Sequence, residues 1–344
     1  MTDSINGSVS PPRVDASKFW AVVIGIDDYV NEKKLRGCVS DATNVFQYLD
    51  SNMGVERGHI QLLLSPTPQS LNHATSATYN PATRANIVNA LIGLSMDNAI
   101  AKDDNILIYF SGHGASYECS DYYASSPASA GAIEALCPAD RNPAARNGIP
   151  DISDRELSTI LSEICRTKGH HITVILDCCH ASGATRDIDV GGSTAMLRKA
   201  GNTYKPHVAI AAMLTAADKK LGQFTTADGS RRYGLVIEGS WHAESKDTHV
   251  LLAACDAFDL ASEARVTEGV WRTVSYGVFT KALLDKLKEI DKSGNPYLPT
   301  YEDLIGSLPV NKFDQFPCAA GDHKNKRLWY TGQRDCCSRA VPGI

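Results

Sequence analysis

Short, continuous apolar runs recur along this chain, and amphipathic segments separate them. The clearest runs are residues 19–26, 59–64, 106–110, 172–176 and 249–254. Runs without polar alternation are typical of strands that are buried on both faces of a parallel sheet. We therefore predict a strand at each of these runs, and a final strand at residues 326–330.

Apolar residues with helical spacing fill much of the chain between these strands. They predict helices at residues 37–48, 87–96, 154–164 and 277–290, and a short helix that ends near residue 308. Thr83 and Thr300 stand where they can cap two of these helices. Because strands alternate with helices, we predict an α/β fold with a mostly parallel central β-sheet flanked by helices on both faces.

Two long segments lack this pattern. Residues 116–150 are polar and rich in Pro and Gly, and residues 184–247 are weakly patterned with several basic side chains. Long loops inside a compact domain are often functional. Residues 1–17 are polar and contain the step Pro11-Pro12, so we predict a flexible amino-terminal arm there.

Charge and composition argue against several partners and compartments. The net charge of -5 provides no broad basic field, so we expect no binding to nucleic acid. No apolar run is long enough to span a membrane, and the first residues do not resemble a secretory signal. The chain has 10 cysteines, none with Cys-x-x-Cys spacing, which argues against a zinc or thioredoxin site. We expect a cytoplasmic protein whose cysteines are reduced.

The candidate chemistry lies just after two of the predicted strands. His113 follows the run 106–110, and Cys179 follows the run 172–176. Functional sites of parallel sheets form at the carboxyl ends of the strands, so these two side chains can meet there. A thiol attacks a carbonyl as a thiolate, for which it needs a base such as histidine. The backbone N–H groups of Cys179 and Gly114 could stabilise the oxyanion that forms.

Each residue alone also has an ordinary structural interpretation. A cysteine at a strand end is most often a buried packing residue, and a histidine in a turn is often held by hydrogen bonds. His180 is a second candidate base beside Cys179, although its position next to the nucleophile makes it the weaker one. The occurrence of both His113 and Cys179 after apolar runs favours catalysis.

Three motifs carry a resemblance to a known family. Residues 111–114 read Ser-Gly-His-Gly, residues 177–183 read Asp-Cys-Cys-His-Ala-Ser-Gly, and residues 35–42 contain Gly-Cys-x-x-Asp-Ala. Together, in their order along the chain, they resemble the motifs of the metacaspases, which are caspase-like cysteine peptidases. The resemblance covers residues 19–330. Cys178 stands where the family has a serine, and Ala181 is an insertion. The resemblance implies that Cys179 is the nucleophile and His113 its base.

The resemblance also implies a preference for substrates. Metacaspases cleave after Arg or Lys, which bind in an acidic pocket, and the matching positions here are Cys38, Asp41, Ser111 and Asp177. A pair of carboxylates can hold a guanidinium through charge-assisted hydrogen bonds and would repel an acidic side chain. Without the motifs, Asp41 and Asp177 would be interpreted as turn residues or caps.

Two further expectations come from the family. The chemistry needs no cofactor, but many metacaspases require calcium, and Asp140 and Asp154 resemble two positions of their aspartate cluster. Ser153 and Arg186 stand where other acids are common, so calcium dependence and independence both stay open.

Some members cut themselves between a large and a small catalytic segment. The corresponding segments are 18–183 and 248–335, which we predict to complete one domain, with 184–247 as the linker.

The candidate self-cleavage sites lie in that linker. They are the basic pairs Lys219-Lys220 and Arg231-Arg232, which otherwise would be solvated surface charges.

The leading hypothesis is a monomeric cysteine endopeptidase that acts on protein or peptide substrates after Arg or Lys. The alternatives are a catalytically silent caspase-like scaffold and an Asp-specific caspase, whose Gln-Ala-Cys-x-Gly signature the sequence lacks.

Overall fold

The structure is a computed structural model, and it describes residues 14–73, 77–118, 132–143, 148–178, 189–190, 193–194, 196–198, 200, 206–224, 229–230, 247–254, 262–268, 272–295, 297–309 and 315–331. The helices of eight or more residues, and one shorter helix, are Cys38–Gln47 (α1), Arg84–Met96 (α2), Asp154–Lys168 (α3), Pro206–Leu221 (α4), Val278–Ser293 (α5) and Tyr301–Gly306 (α6). The strands are Phe19–Ile26 (β1), Ile60–Ser65 (β2), Asn80–Pro81 (β3), Asn105–Ser111 (β4), Gly114–Glu118 (β5), Ala132–Leu136 (β6), Ile152–Ser153 (β7), Ile172–Asp177 (β8), Asp189–Val190 (β9), Ser193–Thr194 (β10), Met196–Leu197 (β11), Val250–Ala253 (β12), Ser262–Glu268 (β13), Arg272–Gly277 (β14) and Cys318–Ala320 (β15).

The central sheet has seven strands in the order β15-β12-β8-β4-β1-β2-β3. Every neighbouring pair is parallel except β12 and β15, which are antiparallel at one edge. Smaller antiparallel sheets are formed by β5-β6-β7, by β11-β13-β14 and by β9-β10. The predicted α/β fold with a mostly parallel sheet is confirmed.

Alternate residues of the central strands point into two hydrophobic cores, one on each face of the sheet. In β1, Val22 and Ile24 belong to one core, whereas Ala21 and Val23 belong to the other. The first core also contains side chains of α2, α3 and α4, and the second contains side chains of α1, α5 and α6. Burial on both faces explains why these strands appear in the sequence as continuous apolar runs.

The predicted caps are present at the beginnings of two helices. The hydroxyl of Thr83 accepts a hydrogen bond from the backbone of Asn86 at the start of α2. Thr300 and Asp303 form a reciprocal capping box at the start of α6. Each cap satisfies backbone N–H groups that have no partner within the helix.

The final strand predicted at residues 326–330 is wrong. Residues Leu328–Tyr330 form a 3-10 turn, and the edge strand is β15 instead. Trp329 and Tyr330 have φ values of 55° and 52°. This left-handed backbone is incompatible with a strand, although the apolar and aromatic composition of the segment favours one.

Both segments predicted as long loops contain regular structure. Residues 116–150 include the end of β5 together with β6, and β7 follows at Ile152–Ser153. Residues 184–247 include α4, whose residues Ile210, Met213 and Leu214 are buried in the core. Within the part of the chain that the structure describes, no helix combines the length and the apolar character needed to cross a bilayer.

Candidate active site

Three strand ends lie side by side at the carboxyl edge of the central sheet. Gly25 of β1 is paired in register with Ser111 of β4, and Ser111 is paired with Asp177 of β8. Ser111 and Asp177 are fully buried. The parallel register therefore brings two residues of the predicted pocket next to each other.

The amino-terminal end of α1 adds the other two predicted pocket residues. A Cβ atom at Gly25 would lie 2.6 Å from both the Cβ of Ala42 and the carbonyl oxygen of Cys38, so only glycine permits this close approach of helix and strand. The backbone N–H of Cys38 donates a hydrogen bond to Asp27 at 2.9 Å. Cys38 and Asp41 are thereby fixed at the edge of the sheet.

A fifth residue, Arg198, contacts three of these four. Its Nη2 donates to Oδ2 of Asp41 at 2.6 Å, and its Nη1 lies 2.8 Å from Oδ2 of Asp177. Nη1 also donates to the hydroxyl of Ser111 at 2.8 Å and to the carbonyl oxygen of Asp177 at 3.2 Å. The side chain of Arg198 is completely buried. Three of the residues predicted to form the pocket therefore surround a guanidinium that belongs to the chain itself.

Glu263 of β13 is a third carboxylate in this pocket, which the sequence did not reveal. Its Oε1 lies 3.4 Å from Nη2 of Arg198 and accepts a hydrogen bond from the backbone of Gly37 at 3.0 Å. Its other oxygen, Oε2, accepts from the backbone of Arg36 at 3.2 Å. Glu263 thus links the antiparallel β13-β14 hairpin to the start of α1.

The floor of the pocket is shaped by Gly277. Its backbone N–H donates to Asp41 at 2.8 Å, and a Cβ atom here would lie only 2.3 Å from Asp177 Oδ2 and 2.6 Å from Arg198 Nη1. Asp177 is oriented by Thr280, whose hydroxyl donates to it at 2.5 Å. Any larger residue at position 277 would occupy space that the guanidinium needs.

Burial and charge pull the pKa values in this pocket in opposite directions. Burial raises the pKa of Asp41, whereas the charge of Arg198, whose Nη2 donates to it at 2.6 Å, lowers this pKa and favours the carboxylate. Burial lowers the pKa of Arg198, but the surrounding carboxylates, above all that of Asp177 and then those of Asp41 and Glu263, more than compensate and bring it well above its ordinary value. Burial also raises the pKa of the Cys38 thiol, so Cys38 lines the pocket as a neutral group. A permanent cation in the pocket is therefore strongly favoured.

His113 lies two residues beyond β4 and is almost completely buried. Its Nε2 is 2.7 Å from the carbonyl oxygen of Lys33. A carbonyl oxygen can only accept a hydrogen bond, so Nε2 carries the proton and Nδ1 carries the free lone pair. Nδ1 is buried and makes no hydrogen bond of good geometry among the described residues, although the backbone of Arg198 lies close enough to influence the ring. His113 is therefore held in the tautomer that can accept a proton at Nδ1.

The backbone around His113 is also held on both sides. Its N–H donates to the hydroxyl of Tyr29 at 2.7 Å, and its carbonyl oxygen accepts from the backbone of Cys137 at 3.0 Å. Gly112 allows Tyr29 to approach, since a Cβ atom there would lie 2.6 Å from the hydroxyl oxygen. Neither contact was predicted, because Tyr29 and Cys137 come from distant segments of the sequence.

A buried ion pair supports the loop that carries Lys33. Arg141 donates to both carboxylate oxygens of Asp151, at 2.7 and 2.8 Å, and also forms an ion pair with Glu32. Such a bidentate pair gives geometric precision in addition to attraction. Glu32 precedes Lys33 directly, so the pair fixes the carbonyl group that orients His113.

Burial lowers the pKa of His113 to about 4. The hydrogen bond to the Lys33 carbonyl opposes this shift, and the positive charge of Arg141 adds to it. The imidazole is therefore neutral at pH 7, which is the state that a proton acceptor needs.

Several predicted site residues lie outside the described residues. They are the nucleophile Cys179, the second candidate base His180 and the pair Arg231-Arg232. The preceding residue, Cys178, is described and buried directly after β8. Lys219 and Lys220 form the last turn of α4.

The two aspartates predicted to bind calcium stand at the beginnings of helices. Asp140 accepts a hydrogen bond from the backbone of Arg84 at 2.8 Å, and Asp154 accepts one from Arg155 at 2.7 Å. Burial raises the pKa of Asp154 to about 6. Calcium takes six to eight oxygen ligands. Within the described ranges, neither aspartate belongs to a group of three ligand atoms that lie within 4.8 Å of one another.

Known proteins resemble this chain in sequence and in fold. Residues 20–188 match the family model "Metacaspase, peptidase C14 domain". Metacaspase-1A of Aspergillus clavatus is 29% identical over 185 residues, which are 54% of this chain and 38% of that protein. Metacaspase-1 of Saccharomyces cerevisiae is 26% identical over 206 residues, which are 59% of this chain and 43% of that protein. The chain thus spans about two fifths of the length of these relatives.

Among solved structures, protein GSU0716 from Geobacter sulfurreducens covers 92% of this chain and 99% of its own length, with a TM-score of 0.51 and 19% identity. At this level of identity, the likeness concerns the fold alone. The matched family segment, residues 20–188, contains the histidine motif, the cysteine motif and both aspartates of the pocket. From the match of residues 20–188 to the family model and the similarity to curated metacaspases, this chain is a metacaspase-like protein.

Proposed function

We propose that this protein is a cysteine endopeptidase that hydrolyses peptide bonds after Arg or Lys, with Cys179 as nucleophile and His113 as base. The observation that carries the proposal is the buried pocket at the sheet edge, in which Asp41 and Asp177 hold a guanidinium. The match of residues 20–188 to the metacaspase peptidase model supports the reaction class. Protein or peptide chains with a basic residue are the substrates that this combination favours.

The geometry of the pocket supports a basic side chain before the scissile bond. The two terminal nitrogens of a guanidinium reach carboxylates on opposite walls, and the hydroxyl of Ser111 accepts an additional hydrogen bond. This arrangement of acceptors fits the guanidinium of arginine best. The ammonium group of lysine can contact only some of these acceptors. An acidic side chain would be repelled by the carboxylates, which speaks against the Asp-specific alternative.

The state of His113 supports a role as proton acceptor. With its Nε2 bound to the carbonyl oxygen of Lys33, the lone pair of Nδ1 is available to accept the proton of the Cys179 thiol. The thiolate attacks the carbonyl carbon of the substrate, the leaving amine takes the proton from His113, and water hydrolyses the resulting thioester. We assign stabilisation of the oxyanion to the N–H groups of Gly114 and Cys179.

A catalytically silent scaffold is the second candidate. A scaffold role would explain the fold. It would not explain why His113 is buried in a tautomer whose basic nitrogen, Nδ1, makes no hydrogen bond of good geometry among the described residues. Unpaired buried polar atoms are costly and persist mainly where they serve a function.

Calcium activation stays a prediction from the family resemblance, and no step here depends on the ion. Peptide hydrolysis measured in excess chelator and again with added calcium tests it. An increase of the rate with calcium supports an activating site, and equal rates exclude one.

The proposed function is tested by hydrolysis of fluorogenic peptides that differ only in the residue before the reporter. We expect cleavage of Arg and Lys peptides, no cleavage of an Asp peptide, and no activity in Cys179→Ala or His113→Ala. Faster cleavage of the Asp peptide, or wild-type activity in Cys179→Ala, would contradict the proposal.

A further inference from the structure

A thiol and two carboxylates meet beside the guanidinium of Arg198. The ligand atoms of Asp27, Cys38 and Glu263 lie within 4.8 Å of one another, and all three side chains are buried. They come from three separate parts of the fold, namely the residue after β1, the first residue of α1 and strand β13. A sulfur atom and carboxylate oxygens are ligands that zinc and similar thiophilic divalent cations accept.

The distance between the thiol and Glu263 fits tetrahedral coordination. Sγ of Cys38 lies 3.5 Å from Oε1 of Glu263. A zinc ion about 2.3 Å from sulfur and about 2.0 Å from oxygen holds these two ligand atoms about 3.5 Å apart when the angle is tetrahedral. The two side chains therefore need little movement to share one ion.

Asp27 contributes a carboxylate with an unused oxygen. Its Oδ1 accepts a hydrogen bond from the backbone N–H of Cys38 at 2.9 Å, which fixes the carboxylate at the start of α1. Its Oδ2 is buried and makes no hydrogen bond of good geometry among the described residues, although Ser70 lies close by. The hydroxyl of Ser70 is engaged with the hydroxyl of Thr67, 3.0 Å away. A buried oxygen of this kind calls for an ion or a water molecule as its partner.

The charges in this region are not balanced by the cation that contacts them. Four buried carboxylates lie near the start of α1, those of Asp27, Asp41, Asp177 and Glu263. In the part of the chain that the structure describes, their ion pairs all go to Arg198, and none of these pairs includes Asp27. Buried charges are normally paired or bound to a metal. A divalent cation would supply the charge that one guanidinium leaves uncompensated.

From these contacts we propose that Asp27, Cys38 and Glu263 form a binding site for a thiophilic divalent cation, with zinc as the expected ion and water as a fourth ligand. The ion replaces the proton of the Cys38 thiol, which passes to the solvent, so one thiolate and two carboxylates hold it. It would join the residue after β1, the start of α1 and the β13-β14 hairpin, and would thus stabilise the walls of the pocket.

This site is separate from the other sites of the protein. It uses neither Cys179 nor His113, so it stands or falls independently of the proposed function. It also differs from the calcium site expected at Asp140 and Asp154, because calcium takes oxygen ligands and a thiolate favours softer ions.

The test uses the full chain with Cys179→Ala, which removes the proposed nucleophile as a competing thiolate. Cobalt is the first probe, because a bond between cobalt and a thiolate absorbs in the near ultraviolet by charge transfer. We expect this absorption to saturate at one ion per chain, and to disappear when zinc is added but not when magnesium is added. It should be absent in Cys38→Ser and retained in the control Cys165→Ser, which changes a half-buried cysteine of α3 outside the cluster.

A second variant and a second measurement separate loss of the site from loss of the fold. Asp27→Asn keeps an oxygen that can accept from Cys38 but removes the charge, and it should weaken zinc binding by about tenfold or more. Zinc at about 100 times its dissociation constant should raise the unfolding temperature of the parent by about 4 °C, and should leave that of Cys38→Ser unchanged. Unfolding curves without metal show whether each variant is folded, and Asp27→Asn decides the question if Cys38→Ser is not.

Three results would overturn the proposal. The first is undiminished zinc affinity in folded Cys38→Ser or folded Asp27→Asn. The second is loss of the cobalt absorption in Cys165→Ser, which would place the ion at another cysteine. The third is a folded parent that binds no zinc, which would show that protons, and not a metal ion, balance these carboxylates. None of these results bears on the hydrolysis of Arg peptides, which is measured separately in wild-type protein.

Discussion

Asp41 and Asp177 bind the two ends of one guanidinium, although they are far apart in the sequence. Nη2 of Arg198 donates to Asp41 at 2.6 Å, and Nη1 lies 2.8 Å from Asp177. Asp41 comes from the first turn of α1 and Asp177 from the end of β8. The spacing of the two carboxylates is therefore set by the packing of a helix on a parallel sheet, and it matches the fork of an arginine side chain.

Replacing one of these carboxylates should weaken catalysis selectively for basic substrates. For Asp177→Asn, the loss of a buried charge pair costs about 2 to 4 kcal/mol, so kcat/KM for an Arg peptide should fall by about 30- to 1,000-fold. The control is Asp50→Asn, which removes the partly buried partner of the exposed Arg57 and should leave kcat/KM unchanged. Equal values of kcat/KM for the two variants would show that Asp177 does not bind the basic side chain of the substrate.

Gly277 should be intolerant of even one additional methyl group. In Gly277→Ala, the new Cβ would lie 2.3 Å from Asp177 and 2.7 Å from Asp41, which narrows the space for a guanidinium. We expect a loss of about 100-fold or more in kcat/KM for an Arg peptide, equivalent to about 3 kcal/mol. Gly93→Ala in α2 is the matched control, because a Cβ there meets no atom within 4 Å, and it should retain full activity. Full activity of both variants would contradict the described geometry.

The hydroxyl of Tyr29 should matter for the reaction rate more than for binding. Tyr29→Phe removes the acceptor of the His113 backbone N–H, and an unpaired buried group costs about 1 to 3 kcal/mol. We expect kcat to fall about tenfold with little change in KM. Tyr301→Phe also removes a buried hydroxyl, which accepts from the backbone of Trp329 at 3.2 Å, but it lies away from His113. It should lower the thermal stability without changing kcat, and an equal fall of kcat in both variants would refute a role of Tyr29 in positioning.

The stability of the protein should depend on pH through His249. Burial lowers its pKa from 6.5 to about 4, so the folded state keeps it neutral while the unfolded chain takes up a proton below about pH 6.5. This contribution to stability is present above pH 6.5 and is lost as the pH falls towards 4, by up to about 3 kcal/mol. The difference in free energy of unfolding between wild-type protein and His249→Gln should shrink over this range. Other titrating groups contribute equally to both proteins and cancel in this difference. If the difference in free energy of unfolding stayed constant over this pH range, His249 would not titrate as described.

The sequence predicts the structure best for strands that are buried on both faces. Strands β1, β4 and β8 are buried on both faces, so their residues form continuous apolar runs with clear ends. The turns after β4 and β8 carry the histidine and cysteine motifs. The fold class and the location of the candidate site at the carboxyl edge of the sheet follow from these features.

The elements that escaped prediction have weaker patterns. Strands β13 and β14 are rich in polar residues and pair only with each other and with β11, so no apolar run marks them. Helix α4 did carry a signal, since Ile210, Met213 and Leu214 have helical spacing.

Arg198 and Glu263 could not be recognised from local sequence for a different reason. Each is an ordinary charged residue in a segment without a motif, and its role depends on which strand end it meets in the folded chain. Their contact with Asp41 and Asp177 joins segments separated by long stretches of sequence. Such contacts are a property of the tertiary structure, which spacing alone does not reveal.

The most direct measurement compares two peptides that are identical except for arginine or citrulline before the scissile bond. Citrulline has almost the same shape as arginine but carries no charge, so the comparison isolates the attraction between a guanidinium and the carboxylates of the pocket. We predict that wild-type protein cleaves the arginine peptide about 100-fold faster or more, measured as kcat/KM, with no cleavage of either peptide by Cys179→Ala. Equal cleavage of the two peptides would contradict the assignment of this pocket as the determinant of specificity.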